Sequence, residues 1–226
     1  PLFDGYAPVA KWLAEKKPDV LFFCFNDLAT TFFFDHYPTF ALGVSEQYRI
    51  ADEGTGIRNI PPLRGHAGLS RHIARALVQD EFDLAIFQDL PLDHGLHSPL
   101  TLMWPKAPDW PGAVVPLVVN VIQQPLPTPR RCYKLGKAIA KAVASYPENL
   151  KVAMVGTGGL SHQMIGERAG FNDEAGDREF LHLIESDPER LASMTIEDFM
   201  RRGGNEGAEV IMWLIMRGAL DAKAKK

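Results

Sequence analysis

The chain has 226 residues, 46% of them hydrophobic, which is enough to bury the core of one α/β domain. Twenty-eight acidic residues against 24 basic ones give a formal net charge of -4, and the sequence reads as having no basic stripe beyond the short Lys223, Lys225, Lys226 tail, which argues against a nucleic-acid partner. No apolar run reaches the ~18 residues that span a bilayer, and two cysteines without C-x-x-C spacing exclude a disulfide framework and fit a reducing cytoplasm.

In chain order, apolar residues at helical spacing (Val9, Leu13) predict a helix over 6–17, which Pro18-Asp19 ends before an apolar strand over 20–25. Residues 32–44 alternate and are rich in aromatics, which suggests an extended excursion, and 51–65, with its glycines and Pro61-Pro62, reads as a surface loop. A helix over 66–78 follows, with Leu69, Ile73, Ala76 and Leu77 on one face, then a buried strand over 82–87 and a loop carrying Asp93-His94-Gly95. A short helix near 99–104, a strand over 113–122, a rigid Pro125-Leu-Pro-Thr-Pro129 spacer and a helix over 131–146 come next. The strand before Gly156, helices near 178–185 and 195–201 and a final apolar helix over 206–220 complete the chain. Strands alternating with helices predict one α/β domain, a mostly parallel central sheet flanked by helices in three layers. The chain opens on Pro1, not Met, so the expectation is one domain over 1–226 with residues missing upstream.

Three places carry candidate chemistry. In Gly156-Thr-Gly-Gly-Leu-Ser-His162, a strand runs into a glycine turn and then presents an imidazole. The same turn also fits a phosphate loop or a tight strand-to-helix connection, and the adjacent Ser161 and His162 do not form a nucleophile pair, since no G-x-S-x-G elbow is present. Glu209 is a lone carboxylate in an apolar segment and needs a partner, either an arginine such as Arg168 or Arg217 or a metal. His94 lies at a strand-to-loop exit, where α/β folds place active residues, or it is a satisfied loop histidine. His97 reads as structural, and His66 and His72 as surface residues.

Taken together, Gly-Thr-Gly-Gly-Leu-Ser-His-Gln (156–163), Asp-His-Gly (93–95), Ala-Asp-Glu-Gly (51–54) and the 206–220 segment resemble the class III extradiol ring-cleavage dioxygenases, over 1–220. The resemblance implies a mononuclear Fe(II) held by two histidines and a glutamate, with positions left open for substrate and dioxygen. It implies Glu209 as the glutamate ligand, His162 as the acid–base residue, and His94 and Asn26 at the substrate. It also implies a catechol acid such as protocatechuate or gallate as the substrate, cleaved beside its diol. The partner would be a small alpha subunit in an assembly of two of each, or a second copy if the enzyme is of the gallate type. The family continues past Leu220, so the resemblance implies a single catalytic domain over 1–226 lacking segments at both ends, and one histidine ligand of that family precedes Pro1. The other follows Asn-Asp, where this chain has Asn26-Asp27-Leu28, and leucine offers no lone pair, so a weakly occupied or empty metal site is expected. Two rivals share the scaffold: a zinc hydrolase and a non-catalytic binder of aromatic acids.

Overall fold

Val20–Phe25 (β1) has no polar residue and is buried along its whole length, as a strand covered on both faces must be. Its side chains alternate: Val20, Phe22 and Cys24 enter one core, and Leu21, Phe23 and Phe25 enter the other. Around it, the computed structural model describes residues 2–54, 56–104 and 109–224, which leaves Lys225 and Lys226 of the basic tail outside the described residues.

A 3-10 turn over Leu2–Tyr6 and helix α1 (Ala7–Lys16) precede β1. Next come β2 (Phe40–Gly43), β3 (Gln47–Tyr48), β4 (Leu63–Arg64), α2 (Ala67–Gln79), β5 (Ala85–Phe87) and α3 (His94–Met103). The second half holds β6 (Ala113–Val119), α4 (Pro129–Ala144), β7 (Val152–Gly156), α5 (Glu174–Ser186), α6 (Pro188–Ala192), α7 (Ile196–Gly203), a 3-10 turn over Asn205–Val210, and α8 (Ile211–Ala219). The sheet order is β5-β2-β6-β1-β7, with β3 and β4 paired separately. β6 and β7 flank β1 in parallel, and β2 runs antiparallel to β6 while pairing in parallel with β5. Leu13 of α1 and Leu96, Leu100 and Met103 of α3 cover one face; α2 and α4–α8 cover the other. This is the three-layer, mostly parallel architecture that the alternation of elements implies. No helix among the described residues is long and apolar enough to cross a membrane. Cys24 and Cys132 are free, buried thiols whose ionisation burial suppresses.

Several elements depart from the sequence reading. Of the aromatic 32–44 segment, only Phe40–Gly43 pairs, as a strand running against β6, while Phe33 and Phe34 stand exposed. The strand expected over 82–87 shrinks to Ala85–Phe87, and its position at the sheet edge leaves Ile86 exposed. The supposed loop over 51–65 contains β4. Asp93-His94-Gly95 is a helix start, not a loop: Asp93 caps α3 by accepting from the Gly95 amide at 3.0 Å. The final helix is broken, with Glu209 on the 3-10 turn and the α-helix beginning only at Ile211. Helix α6 was not anticipated.

Candidate active site

The carboxyl ends of β1 and β7 lie side by side, where open α/β sheets bind ligands. Beyond β1, Asn26 accepts from the Leu28 amide through Oδ1 at 3.0 Å, and Asp27 Oδ2 accepts the amides of Thr30, Thr31 and Phe32 at 2.8–3.1 Å. These side chains hold Leu28 and Ala29 in the left-handed region, at φ 47° and 56°. Beyond β7, Thr157 ties to the Cys24 carbonyl through its amide, at 3.0 Å, and its hydroxyl, at 3.1 Å. The chain then turns at Gly158, φ 102°.

That turn is shaped to Glu209 and His162. A Cβ on Gly158 would come within 2.8 Å of Glu209 Cβ, and one on Gly159 within 2.6 Å of the His162 ring, so each glycine leaves the space that a functional side chain fills. The Gly159 amide donates to Glu209 Oε2 at 2.8 Å, and the Trp213 indole N–H to the Gly158 carbonyl at 3.1 Å. Burial raises the Glu209 pKa above the usual carboxylate range, against the lowering pull of the Gly159 bond and of His162. His162 Nε2 lies 3.9 Å from Glu209 Oε2, while its Nδ1 donates to the Leu160 carbonyl at 2.7 Å. Because a carbonyl only accepts, this fixes the proton on Nδ1 and leaves the lone pair of the neutral ring on Nε2. Neither arginine proposed as a partner for Glu209 reaches it: Arg217 donates to the Ile184 carbonyl, and Arg168 stacks on Phe171. Ser161 is structural, its hydroxyl donating to Asp177 while accepting from the Asp173 amide.

Asn26, Leu28, His94, Gly158, Glu209 and Trp213 line a cavity of about 510 Å³, of the size that takes a small ligand. His162 stands beside Glu209 over Gly159, adjoining this wall without forming part of it. His94 does not arrive from the carboxyl end of its preceding strand. β5 runs against β1 and β7, so residues 88–93 must double back, and the amino end of α3 then packs on Asn26, whose carbonyl would lie 2.5 Å from a Cβ on Gly95.

Sequence reasoning missed Glu53 and took His97 as structural, and His97 is indeed buried outside the cavity lining. The Glu53 carboxylate accepts the His94 backbone amide at 2.8 Å and also bonds His94 Nδ1. His97 is 1% exposed; its two ring nitrogens lack hydrogen-bond partners, and Nε2 lies 3.6 Å from Glu53. Burial, then the Arg58 charge, push the His97 pKa down to about 4. Burial, then the Asp27 and Glu53 carboxylates, push the Asp93 pKa up to about 8. Glu53 lies in the Ala-Asp-Glu-Gly segment, so its neighbourhood could be flagged from sequence, but its partner lies 41 residues away.

As a metal site, the Glu209 wall is incomplete. It offers one carboxylate and, 3.9 Å away, one imidazole, and Leu28 has no donor. Among the described residues, three potential ligand atoms lie within 4.8 Å of one another only at Glu53, Asp93 and His94. The two-histidine, one-carboxylate set therefore does not fit the described residues alone.

Residues 1–226 match the family model described as the catalytic LigB subunit of aromatic ring-opening dioxygenase. The chain belongs to this LigB family. A gallate dioxygenase from Pseudomonas putida is 55% identical over 177 residues, which are 78% of this chain and 52% of that protein. Against it, the LigB chain thus spans about half of its relative's length. A 2,3-dihydroxyphenylpropionate/2,3-dihydroxicinnamic acid 1,2-dioxygenase from Burkholderia vietnamiensis is 27% identical over 244 residues, covering 87% of this chain and 76% of the relative. The structure of the uncharacterized protein JW3007 from Escherichia coli K12 shares the fold, with a TM-score of 0.59 at 13% identity over 98% of this chain and 82% of that one.

Proposed function

We propose that this chain carries the ring-cleavage pocket of a metal-dependent extradiol dioxygenase that acts on gallate or a close relative such as protocatechuate. The observation that supports it most is the convergence of Glu209 and His162 beside one cavity at the carboxyl ends of β1 and β7. The 55% identity to a gallate dioxygenase favours gallate over protocatechuate, and an arrangement in which the remaining pocket residues lie on the same polypeptide over a separate alpha subunit. In this reading the location is cytoplasmic, the metal is Fe(II), and Glu209 is its ligand. When bound, the metal would supply open positions for a catecholate and for dioxygen.

The proton chemistry belongs to the chain. His162 takes a phenolic proton on Nε2, the nitrogen left free by its bond to Leu160, and Glu209 stabilises the resulting imidazolium across 3.9 Å. Asn26 Oδ1 is engaged by the Leu28 amide and the Tyr37 hydroxyl, so its NH2 is the end that meets substrate. Leu28 favours a second reading, a homologue that binds aromatic acids without cleaving them, because the residue adds apolar surface and no ligand to the cavity.

Oxygen uptake by Fe(II)-treated protein on addition of gallate tests the proposal. Uptake that disappears in Glu209→Gln and His162→Gln supports it. Gallate binding with no uptake, converted to uptake by Leu28→His, selects the binder, and stoichiometric zinc without uptake selects a hydrolase.

A further inference from the structure

Glu53 belongs to an irregular segment, yet both of its carboxylate oxygens grip the first residue of α3. Oε1 accepts the His94 amide at 2.8 Å, one of the first-turn donors that the helix itself leaves without a partner. Oε2 bonds Nδ1 of the same residue's ring. A two-point contact of this kind fixes the position of the residue and the rotation of its imidazole together. The ring is nearly half exposed and lines the cavity, while Glu53 is not among the cavity residues, so it holds the ring from behind.

We propose that Glu53 is a positioning residue that locks His94 in its Nδ1–H tautomer, so that the cavity meets Nε2 as an acceptor for a hydroxyl on an aromatic ligand. An ionised carboxylate only accepts, so the shared hydrogen must come from Nδ1, and the lone pair of a neutral ring then lies on Nε2. The geometry leaves Glu53 Oε2 as the acceptor nearest to that proton. Asp93, 3.8 Å from Nδ1, is held largely protonated by burial, and His97 is held neutral. His162 has the same polarity by a different means, with a backbone carbonyl in place of the carboxylate. Two imidazoles each offering a lone pair select a ligand that brings hydroxyl donors. The choice of ligand class rests on the dioxygenase reading above; the tautomer does not.

The test is nitrogen-15 NMR of histidine-labelled protein, paired with calorimetric binding of gallate and of its O-methylated analogue, 3,4,5-trimethoxybenzoate. In the unmodified chain, His94 is expected as the Nδ1–H form. Glu53→Gln keeps the shape but turns an amide NH2 towards Nδ1, so the ring proton is expected to move to Nε2. Gallate should then bind tenfold or more weakly, while the methylated analogue, which has no hydroxyl to donate, binds the variant and the parent alike. Glu53→Asp should retain the original tautomer. An Nε2–H ring in the parent, or a tautomer indifferent to Glu53→Gln, overturns the proposal. So does stoichiometric zinc uptake that displaces the Nδ1 proton and is lost in Glu53→Gln but kept in Glu209→Gln, since Glu53, Asp93 and His94 would then form a cation site. A parent chain that fails to bind gallate defeats the substrate reading and leaves the tautomer to decide the role of Glu53. If Glu53→Gln does not fold, the parent spectrum alone decides.

Discussion

The two walls of the cavity are built on different principles. On the Glu209 side, backbone does the placing: a glycine turn leaves space for two side chains and donates an amide to one of them. On the His94 side, one carboxylate from an irregular segment holds a helix start 41 residues away. The first wall tolerates no added atom. The second should tolerate isosteric change with its shape intact and its proton positions altered, so steric and electronic substitutions should affect the two sides in opposite ways.

Gly158→Ala is the severest test of the steric wall. The new methyl would meet Glu209 Cβ at 2.8 Å on a backbone with φ 102°, and a loss on the order of 3 kcal/mol is expected in urea unfolding. A loss under ~1 kcal/mol would show that the turn gives way and that Glu209 is less firmly seated than described.

On the electrostatic side, Asp93→Asn keeps the cap acceptor and removes the buried acid. The Asp93 pKa is raised in the folded state from an ordinary 3.8 to about 8, so the folded protein holds the extra proton between those values. Its contribution is present in full below pH ~4 and is lost as pH rises towards 8. Asparagine should flatten that decline, gaining on the order of 2 kcal/mol at the alkaline end relative to the parent. Parallel stability–pH curves for the two proteins would contradict the assignment.

Glu209→Gln should stabilise the metal-free protein by about 1 kcal/mol near neutral pH, since burial raises the pKa of this carboxyl and the Gly159 amide retains an acceptor. Scanning calorimetry would show this as a higher Tm, accompanied by loss of any Fe(II) binding at this wall. The smallest stability change is expected for Leu28→His, within ~0.5 kcal/mol at a part-exposed site, together with a gain in Fe(II) affinity by equilibrium dialysis. A large loss of stability there would mean that the leucine packs as core.

Legibility from sequence followed locality. β1 and α4 were readable because an uninterrupted apolar run and a 3.6-residue stripe each carry their own signal. β2 and β5 were poorly bounded because strands of four and three residues lack the length to show a period, and edge placement removes the burial that would mark Ile86. In the site, Gly158, Gly159, His162 and Glu209 could be nominated because a turn and an isolated carboxylate stand out in one dimension. Glu53 could not, since nothing near it in sequence hints at a hydrogen-bond partner in α3. The 3-10 turn at Glu209 was also hidden, because 206–220 has the composition of a continuous helix and only packing breaks it.

Asp27 spends one oxygen on three successive amides, and with Asn26 it dictates the backbone through Leu28. The loop therefore owes its shape to its neighbours and nothing to the leucine side chain, which makes position 28 a socket whose insert can be exchanged without rebuilding its housing. A lineage, or an engineer, could therefore change what this position presents to the cavity by altering a single codon, with the turn around it left standing.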